Sequence, residues 1–300
     1  MQRYYSPLRY PGGKSKISPL VKEVIQRNNL FDGEYFEVYA GGASIAMDLL
    51  LNEFVRRVYI NDIDLNIYSF WKSIIDETDQ FCELIRTTPI TVEEWEIQRK
   101  RLFEDESVTT FQRGFATFYL NRTNISGILR GGLIGGREQT GTWKMDARFN
   151  RAALIERIQR ISRYKNRIAV ENLDAIAFLE KYKQRYSSKC LIFLDPPYYV
   201  KGKDLYLNYY SDSDHMAIES HLSTLEDAKW LLTYDSVDRI LDIYKERRLF
   251  TYKLNYSARD SSVGTEIVTF SKSTNIPFLS LEALGKAHND ENPEVDDVIA

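Results

Sequence analysis

Short apolar runs alternate along this chain with amphipathic stretches of helical period. The runs at residues 35–39, 57–60, 167–170, 191–194 and 230–234 are apolar at nearly every position, as strands buried on both faces are. Between them, stretches such as residues 43–54 and 175–186 repeat apolar side chains three and four apart, which predicts helices. This alternation predicts a doubly wound α/β sheet. The pattern changes near the end. Residues 249–256 and 265–271 are two strand-like runs joined by SARDSSVG. That link leaves no room for a crossover helix, so the two strands should pair antiparallel.

One interval breaks the alternation. From about residue 69 to 164, helical patterns lead into a polar loop at residues 124–141, with Gly127, Gly131, Gly132, Gly135, Gly136 and Gly141. A loop of that length in a compact domain is usually functional or disordered. The expected organisation is an α/β domain of residues 1–68 and 165–285, interrupted by a mostly helical insertion of residues 69–164. The acidic, polar residues 286–300 are expected to be a disordered tail.

A chain of 300 residues with 43% hydrophobic content suits a globular protein with a full core. No stretch of about 18 uncharged apolar residues predicts a membrane span. The first five residues have no apolar signal core behind them, so a cytoplasmic location is expected. Cys82 and Cys190 form neither a metal-ligand pair nor a disulfide framework, and His215, His221 and His288 share no zinc spacing. No metal is expected. The net charge of -3 does not advertise nucleic-acid binding, but its distribution does. Between Asn121 and Arg167 stand eleven Arg and Lys residues against Glu138, Asp146 and Glu156. A basic segment on an acidic chain is what a phosphate-binding surface looks like. For residues 151–167 a solvated helix face is the other reading.

Three segments carry candidate chemistry. The run at 191–194 leads into Asp195-Pro196-Pro197-Tyr198, where ligands of open α/β sheets bind. The prolines fix the backbone and remove two N–H donors. An acid, a rigid carbonyl and an aromatic ring then project together, a set that suits a flat ring bearing an NH₂ group. A strand stop with a Pro-Pro turn would look the same. The second segment, Glu37-Val38-Tyr39-Ala40-Gly41-Gly42-Ala43, reads as strand, glycine turn and helix start, which brings backbone close to a ligand. It lacks a complete dinucleotide or P-loop pattern. About 20 residues on, Asp62 ends the next strand, where an acid can hold ribose hydroxyls. The third segment is Tyr10-Pro11-Gly12-Gly13-Lys14, a Gly-Gly turn beside a lysine.

In this order the segments RYPGGK, EVYAGGAS, NDID, FYLNRTNISGI, VENLD and DPPY resemble the Dam-type adenine-N6 DNA methyltransferases, the D12 class and α group of the class I methyltransferases. The resemblance covers about residues 5–272. It implies S-adenosylmethionine as cofactor and double-stranded DNA as substrate. Tyr10 and Lys14 would then touch the cofactor, and Glu37, Tyr39 and Gly41 would line its methionine end. Asp62 would hold its ribose, and Asn172 and Leu173 would lie beside its adenine. Those two depart from the family's usual acid and aromatic, a role Asp174 is placed to take. Asp195 would contact both cofactor and base. Val38, Tyr39 and Ala43 replace three residues of the family's usual Pro-Phe-x-Gly-x-Gly turn.

The implied mechanism has Asp195 and the Pro196 carbonyl accept the two hydrogens of a flipped-out adenine amine, with Tyr198 stacked on the ring. Asn121, Arg122 and Asn124 match the segment that precedes the family's DNA-contacting hairpin. Arg130 and Arg137 flank GGLIGG and are expected at guanine edges, and Arg259 at phosphates. Simple capping of the turn by Asn121 and Asn124 stays open. Other readings are an N4-cytosine methyltransferase, an RNA methyltransferase, and a noncatalytic DNA-binding protein that keeps the fold. A cognate restriction endonuclease is a further possible partner.

Overall fold

The computed structural model describes residues 5–9, 17–186, 189–199, 210–256, 262–277 and 287–288. The strands are β1 (Gly33–Glu37), β2 (Val55–Asn61), β3 (Ile168–Glu171), β4 (Cys190–Leu194), β5 (Trp230–Asp235), β6 (Leu249–Tyr256), β7 (Ser262–Phe270) and β8 (Ala287–His288). They form one sheet in the order β3-β2-β1-β4-β5-β7-β6-β8. The pairings among β1 to β5 are all parallel. β7 enters antiparallel between β5 and β6. This is the doubly wound sheet with an antiparallel C-terminal strand expected of a class I methyltransferase.

Burial explains the central strands. Every residue of β1 and β4 is buried, and β5 is buried up to Asp235. β1 has β2 on one side and β4 on the other. That reversal of strand order opens a crevice at the carboxyl ends.

The helices are α1 (Ser18–Arg27), α2 (Ser44–Leu51), α3 (Leu65–Asp76), α4 (Thr78–Thr87), α5 (Val92–Phe103), α6 (Thr110–Thr123), α7 (Arg151–Ser162), α8 (Ala175–Tyr182), α9 (Asp212–Ser223) and α10 (Asp238–Ile243). Local chemistry starts many of them. Asp64, Thr91, Asn150 and Asp174 cap α3, α5, α7 and α8 by accepting first-turn amides. Thr109 and Gln112 close a capping box on α6.

Two apolar clusters are built on the strands. One joins α8, α9 and α10 to side chains such as Phe36, Ile192 and Leu232. The other joins α1 and α2 to α3–α7 without a break. At its centre Phe81 meets Phe70, Phe111, Phe115 and Phe118 at ring separations of 5.5 to 6.0 Å, favourable aromatic geometry. α6 lies so close to α3 that a side chain at Gly114 would run into the Ser69 carbonyl. The expected domain boundary after residue 68 thus falls inside α3, and the inserted helices share the core of the sheet.

One expectation fails locally. Ala287 and His288, read as part of a disordered tail, pair antiparallel with Phe250 and Leu249. The edge of β6 offers unpaired backbone groups that take up a strand. Among the described residues no helix is long and apolar enough to cross a membrane.

Candidate active site

The carboxyl ends of β1, β2, β3 and β4 bring the glycine turn, Asp62, Asn172 and the Asp195 tetrapeptide to one edge of the sheet. β4 ends at Leu194, and Asp195 follows half-buried. Thr233 on β5 donates its hydroxyl to Asp195 Oδ1 at 2.7 Å. Two residues along β5, Asp235 Oδ1 accepts the Tyr199 amide at 3.1 Å. Tyr198 is buried, and its hydroxyl donates to Glu266 Oε1. The other oxygen of Glu266 accepts the hydroxyl of Tyr252. Asp235, Glu266 and Tyr252 are register partners across β5, β7 and β6, so they form one row on one face. The tetrapeptide is therefore fixed from below by neighbouring strands. Thr233, Asp235 and Glu266 were not singled out in the sequence. The available signal was a hydroxyl and an acid closing an apolar strand, and one acid inside the run Ile267–Phe270. Among the described residues no backbone amide occupies the Pro196 carbonyl.

The turn after β1 is braced in the same way. Gly41 has φ +46° and Ala43 φ +43°. The Gly41 amide donates to Asp62 Oδ2 at 2.8 Å, and Trp71 Nε1 donates to the Gly41 carbonyl at 2.9 Å. Asn61 is buried and ties three strand ends together. Its Nδ2 donates to the carbonyls of Val38 and Leu173, both at 3.0 Å, and its Oδ1 accepts the Leu173 amide at 3.0 Å. Asn172 Nδ2 donates to the carbonyls of Asp62 and Ile63 at 2.8 and 3.0 Å. Asn172 thus holds the loop that carries Asp62. Asp174 caps α8 with its carboxylate. Tyr39 shares a hydroxyl hydrogen bond with Tyr210 at 3.0 Å.

Two acids here have unusual proton affinity. Burial pushes Glu37 up to about 8; the Ala46 amide opposes this and the nearby Asp195 charge reinforces it. Burial, then the charge of Asp64, pushes Asp62 up to about 7, against the amides of Asp64 and Gly41. Tyr10, Lys14 and Arg259 lie outside the described residues.

The insertion corrects three expectations. Asn121 and Asn124 are buried with their side chains fully engaged. Asn121 accepts the Arg9 amide at 2.7 Å and donates to the Arg9 and Gly127 carbonyls at 2.7 and 2.9 Å. Asn124 accepts Trp95 Nε1 at 2.6 Å and donates to the Ile128 and Leu129 carbonyls at 2.9 and 3.0 Å. Arg122 is buried and donates to the Pro7 carbonyl. All three are turned inward, and each satisfies backbone groups that would otherwise be buried unpaired. Arg157 similarly donates to the Ser6 carbonyl at 2.7 Å and Arg9 to the Asn124 carbonyl at 3.0 Å. Together they strap residues 6–9, which lead into the Tyr10–Lys14 segment, onto the insertion. Gly127 is required there: its φ is +76°, and a Cβ would lie 2.7 Å from the Arg9 carbonyl oxygen.

Much of the remaining basic segment is also structural. Arg151 donates to the Ile85 and Thr88 carbonyls, and Arg167 to those of Arg56 and Val55. Arg130 and Arg137 differ in being exposed. Arg130 lies 4.6 Å over the Phe103 ring, and Arg137 pairs with Glu96 at 2.6 Å. Cys82 and Cys190 are both buried. Among the described residues no group of three or more His, Cys, Asp or Glu side chains is placed to hold a metal ion.

A sequence model described as "D12 class N6 adenine-specific DNA methyltransferase" matches residues 10–258. No curated protein matches the chain. Among solved structures, a conserved hypothetical protein from Streptococcus pyogenes is similar at 10% identity and a TM-score of 0.30, over 81% of this chain and 88% of that one. A protein from Legionella pneumophila is similar at 13% identity and a TM-score of 0.34, over 91% and 95%. Likenesses at these scores do not bear on function.

Proposed function

The chain belongs to the D12 class N6 adenine-specific DNA methyltransferases, and from that premise we propose which of its residues bind, hold and react. The enzyme methylates N6 of adenine in DNA, with S-adenosylmethionine as methyl donor. Family membership favours adenine over the N4-cytosine reading and an enzyme over a noncatalytic binder.

The observation that carries the assignment is Asp195 pinned by Thr233 at the end of β4, next to the Pro196 carbonyl. The adenine amine is a poor nucleophile because its lone pair is delocalised into the ring. Asp195 and the Pro196 carbonyl each accept one amine hydrogen, which holds the nitrogen in a geometry that localises the pair. Tyr198 packs against the base. When bound, S-adenosylmethionine supplies an electrophilic methyl group on a sulfonium. What the protein adds is orientation and fixed dipoles. No covalent enzyme intermediate is needed, in keeping with two buried cysteines. An adenine inside a duplex cannot reach these groups, so the target base is flipped out, at a cost of a few kcal/mol.

The cofactor suits the chemistry of the donor set. Glu37 and Asp62 are desolvated acids that form no ion pair among the described residues. A ligand with an ammonium and a sulfonium brings the positive charge that lets both ionise. Glu37, Tyr39 and Gly41 would hold the methionine end, and Asp62 the ribose. Asn172 and Leu173 would border the adenine through backbone, since the Asn172 side chain is engaged elsewhere. Tyr10 and Lys14 would complete the site from the strapped N-terminal segment.

Cofactor turn, insertion and catalytic tetrapeptide follow in the Dam-type α order. Residues 1–68 and 165–285 carry the catalytic and cofactor groups on a core shared with the insertion, and the recognition surface lies within residues 69–164. Arg130 and Arg137 are its candidates for DNA contact, with Arg259 at phosphates. The enzyme would act on cytoplasmic DNA, with a cognate restriction endonuclease as a possible partner. Methylating DNA with labelled cofactor and digesting it to nucleosides should recover the label in N6-methyladenine. Label in N4-methylcytosine alone would contradict the reading. Sequencing the modified positions would then give the recognised site.

A further inference from the structure

Glu266 is fully buried in the middle of an antiparallel strand. A carboxylate there is costly unless it is hydrogen-bonded. Its partners include two tyrosine hydroxyls, Tyr198 from the catalytic tetrapeptide and Tyr252 from β6. Tyr252 is its register partner on one side and Asp235 on the other. Asp235 in turn holds the amide of Tyr199. The row Asp235–Glu266–Tyr252 thus grips two successive residues just beyond Pro197. An apolar residue at position 266 would fill the space without directing anything. An acid aims hydrogen bonds at fixed points, and those to charged acceptors are the stronger kind.

We propose that Glu266 is a positioning residue for methyl transfer: it fixes where the Tyr198 ring lies before the target adenine arrives, through the Tyr198 hydroxyl. The role rests on the reading of Tyr198 as the ring that packs on the base. With the hydroxyl held, the ring cannot swing about its Cα–Cβ bond, and the base meets a formed surface. Preorganisation of this kind acts on the reaction geometry, where a displacement of about 1 Å can cost on the order of 100-fold in rate.

The test uses the full-length enzyme and four variants: Glu266→Gln, Tyr198→Phe, their combination, and Tyr198→Ala. Glu266→Gln keeps the size of the side chain but not its charge. Tyr198→Phe removes the same hydrogen bond from the other end, so the question survives if one variant folds poorly. Each single variant should lower kcat by about 10- to 100-fold with a smaller change in KM for DNA. The fluorescence of 2-aminopurine at the target position should show a less ordered flipped base. The double variant should be no slower than the slower single one, because Glu266→Gln weakens and Tyr198→Phe removes one and the same hydrogen bond. Effects that multiply, or a Glu266→Gln enzyme with unchanged kcat, would overturn the role of Glu266. Tyr198→Ala separates the two layers. If it loses activity while Glu266→Gln does not, only the positioning role falls. If it keeps full activity, the packing role of Tyr198 falls and that of Glu266 with it.

Discussion

The carboxyl edge of the sheet and the inserted helices both bury polar side chains, to opposite ends. At the sheet edge, buried and half-buried groups hold other functional groups: Thr233 holds Asp195, Asp62 holds the Gly41 amide, and Glu266 holds Tyr198. In the insertion, groups that look functional hold backbone. Asn121, Arg122 and Asn124 satisfy carbonyls and amides of residues 7, 9 and 127–129, and the Trp95 indole. The difference is one of geometry. A strand end points its side chains along a direction fixed by the sheet, so position in the sequence implies position in the site. A helix and loop insertion sets no such direction, and a basic or amide side chain goes to whichever backbone group lacks a partner.

The largest expected effect on stability comes from Asn124→Ala. It leaves the Trp95 indole and two carbonyls without partners, so a loss of roughly 3 kcal/mol is expected, read by denaturant unfolding. Gly127→Ala should cost about 1–3 kcal/mol through its left-handed backbone and the approach of Arg9. In both, DNA affinity of the folded fraction should stay near that of the parent. If stability held and DNA binding collapsed, the contrast between the two regions would be wrong.

A pH titration probes the other side of the contrast. The raised Glu37 and Asp62 mean that the folded protein without ligand binds more protons than the unfolded chain. Stability from this source is present at low pH and is lost as pH rises through about 7 to about 8. Binding a cationic cofactor has the reverse sign, because it needs both acids ionised. Affinity for S-adenosylmethionine should rise with pH, by up to about tenfold per unit for each group, and binding should release protons. Calorimetry in two buffers of different ionisation enthalpy reads this directly. Proton uptake on binding would refute it.

Smaller effects sharpen the picture. Ala43→Gly removes a left-handed alanine and should stabilise the protein by about 1 kcal/mol, measured by thermal unfolding. Arg130→Ala and Arg137→Ala should each reduce the salt dependence of DNA binding by about one in slope and change stability by less than about 0.5 kcal/mol. Salt slopes that do not move would remove these two arginines from the DNA surface.

How much was legible follows the same division. Strands β1, β4 and β5 were readable because both faces are buried, which leaves a continuous apolar signature. The pairing of the last two long strands was readable from the short link between them. Their order was not: nothing local says that β7 rather than β6 lies beside β5. The tetrapeptide and the acid at Asp62 were readable because each follows an apolar strand. Glu266 was hidden because a lone acid in a strand reads as a solvent-facing position. Arg122 was not legible because its carbonyl partner, Pro7, is far away in the chain. No window of sequence contains both.

The central claim is that Asp195 serves the reaction and not the fold. Single-turnover methyl transfer by Asp195→Ala on DNA carrying the recognised site, with DNA binding measured on the same preparation, tests it most directly. The account predicts transfer reduced at least about 1,000-fold with DNA affinity within a few fold of the parent. Transfer at the parental rate would contradict it.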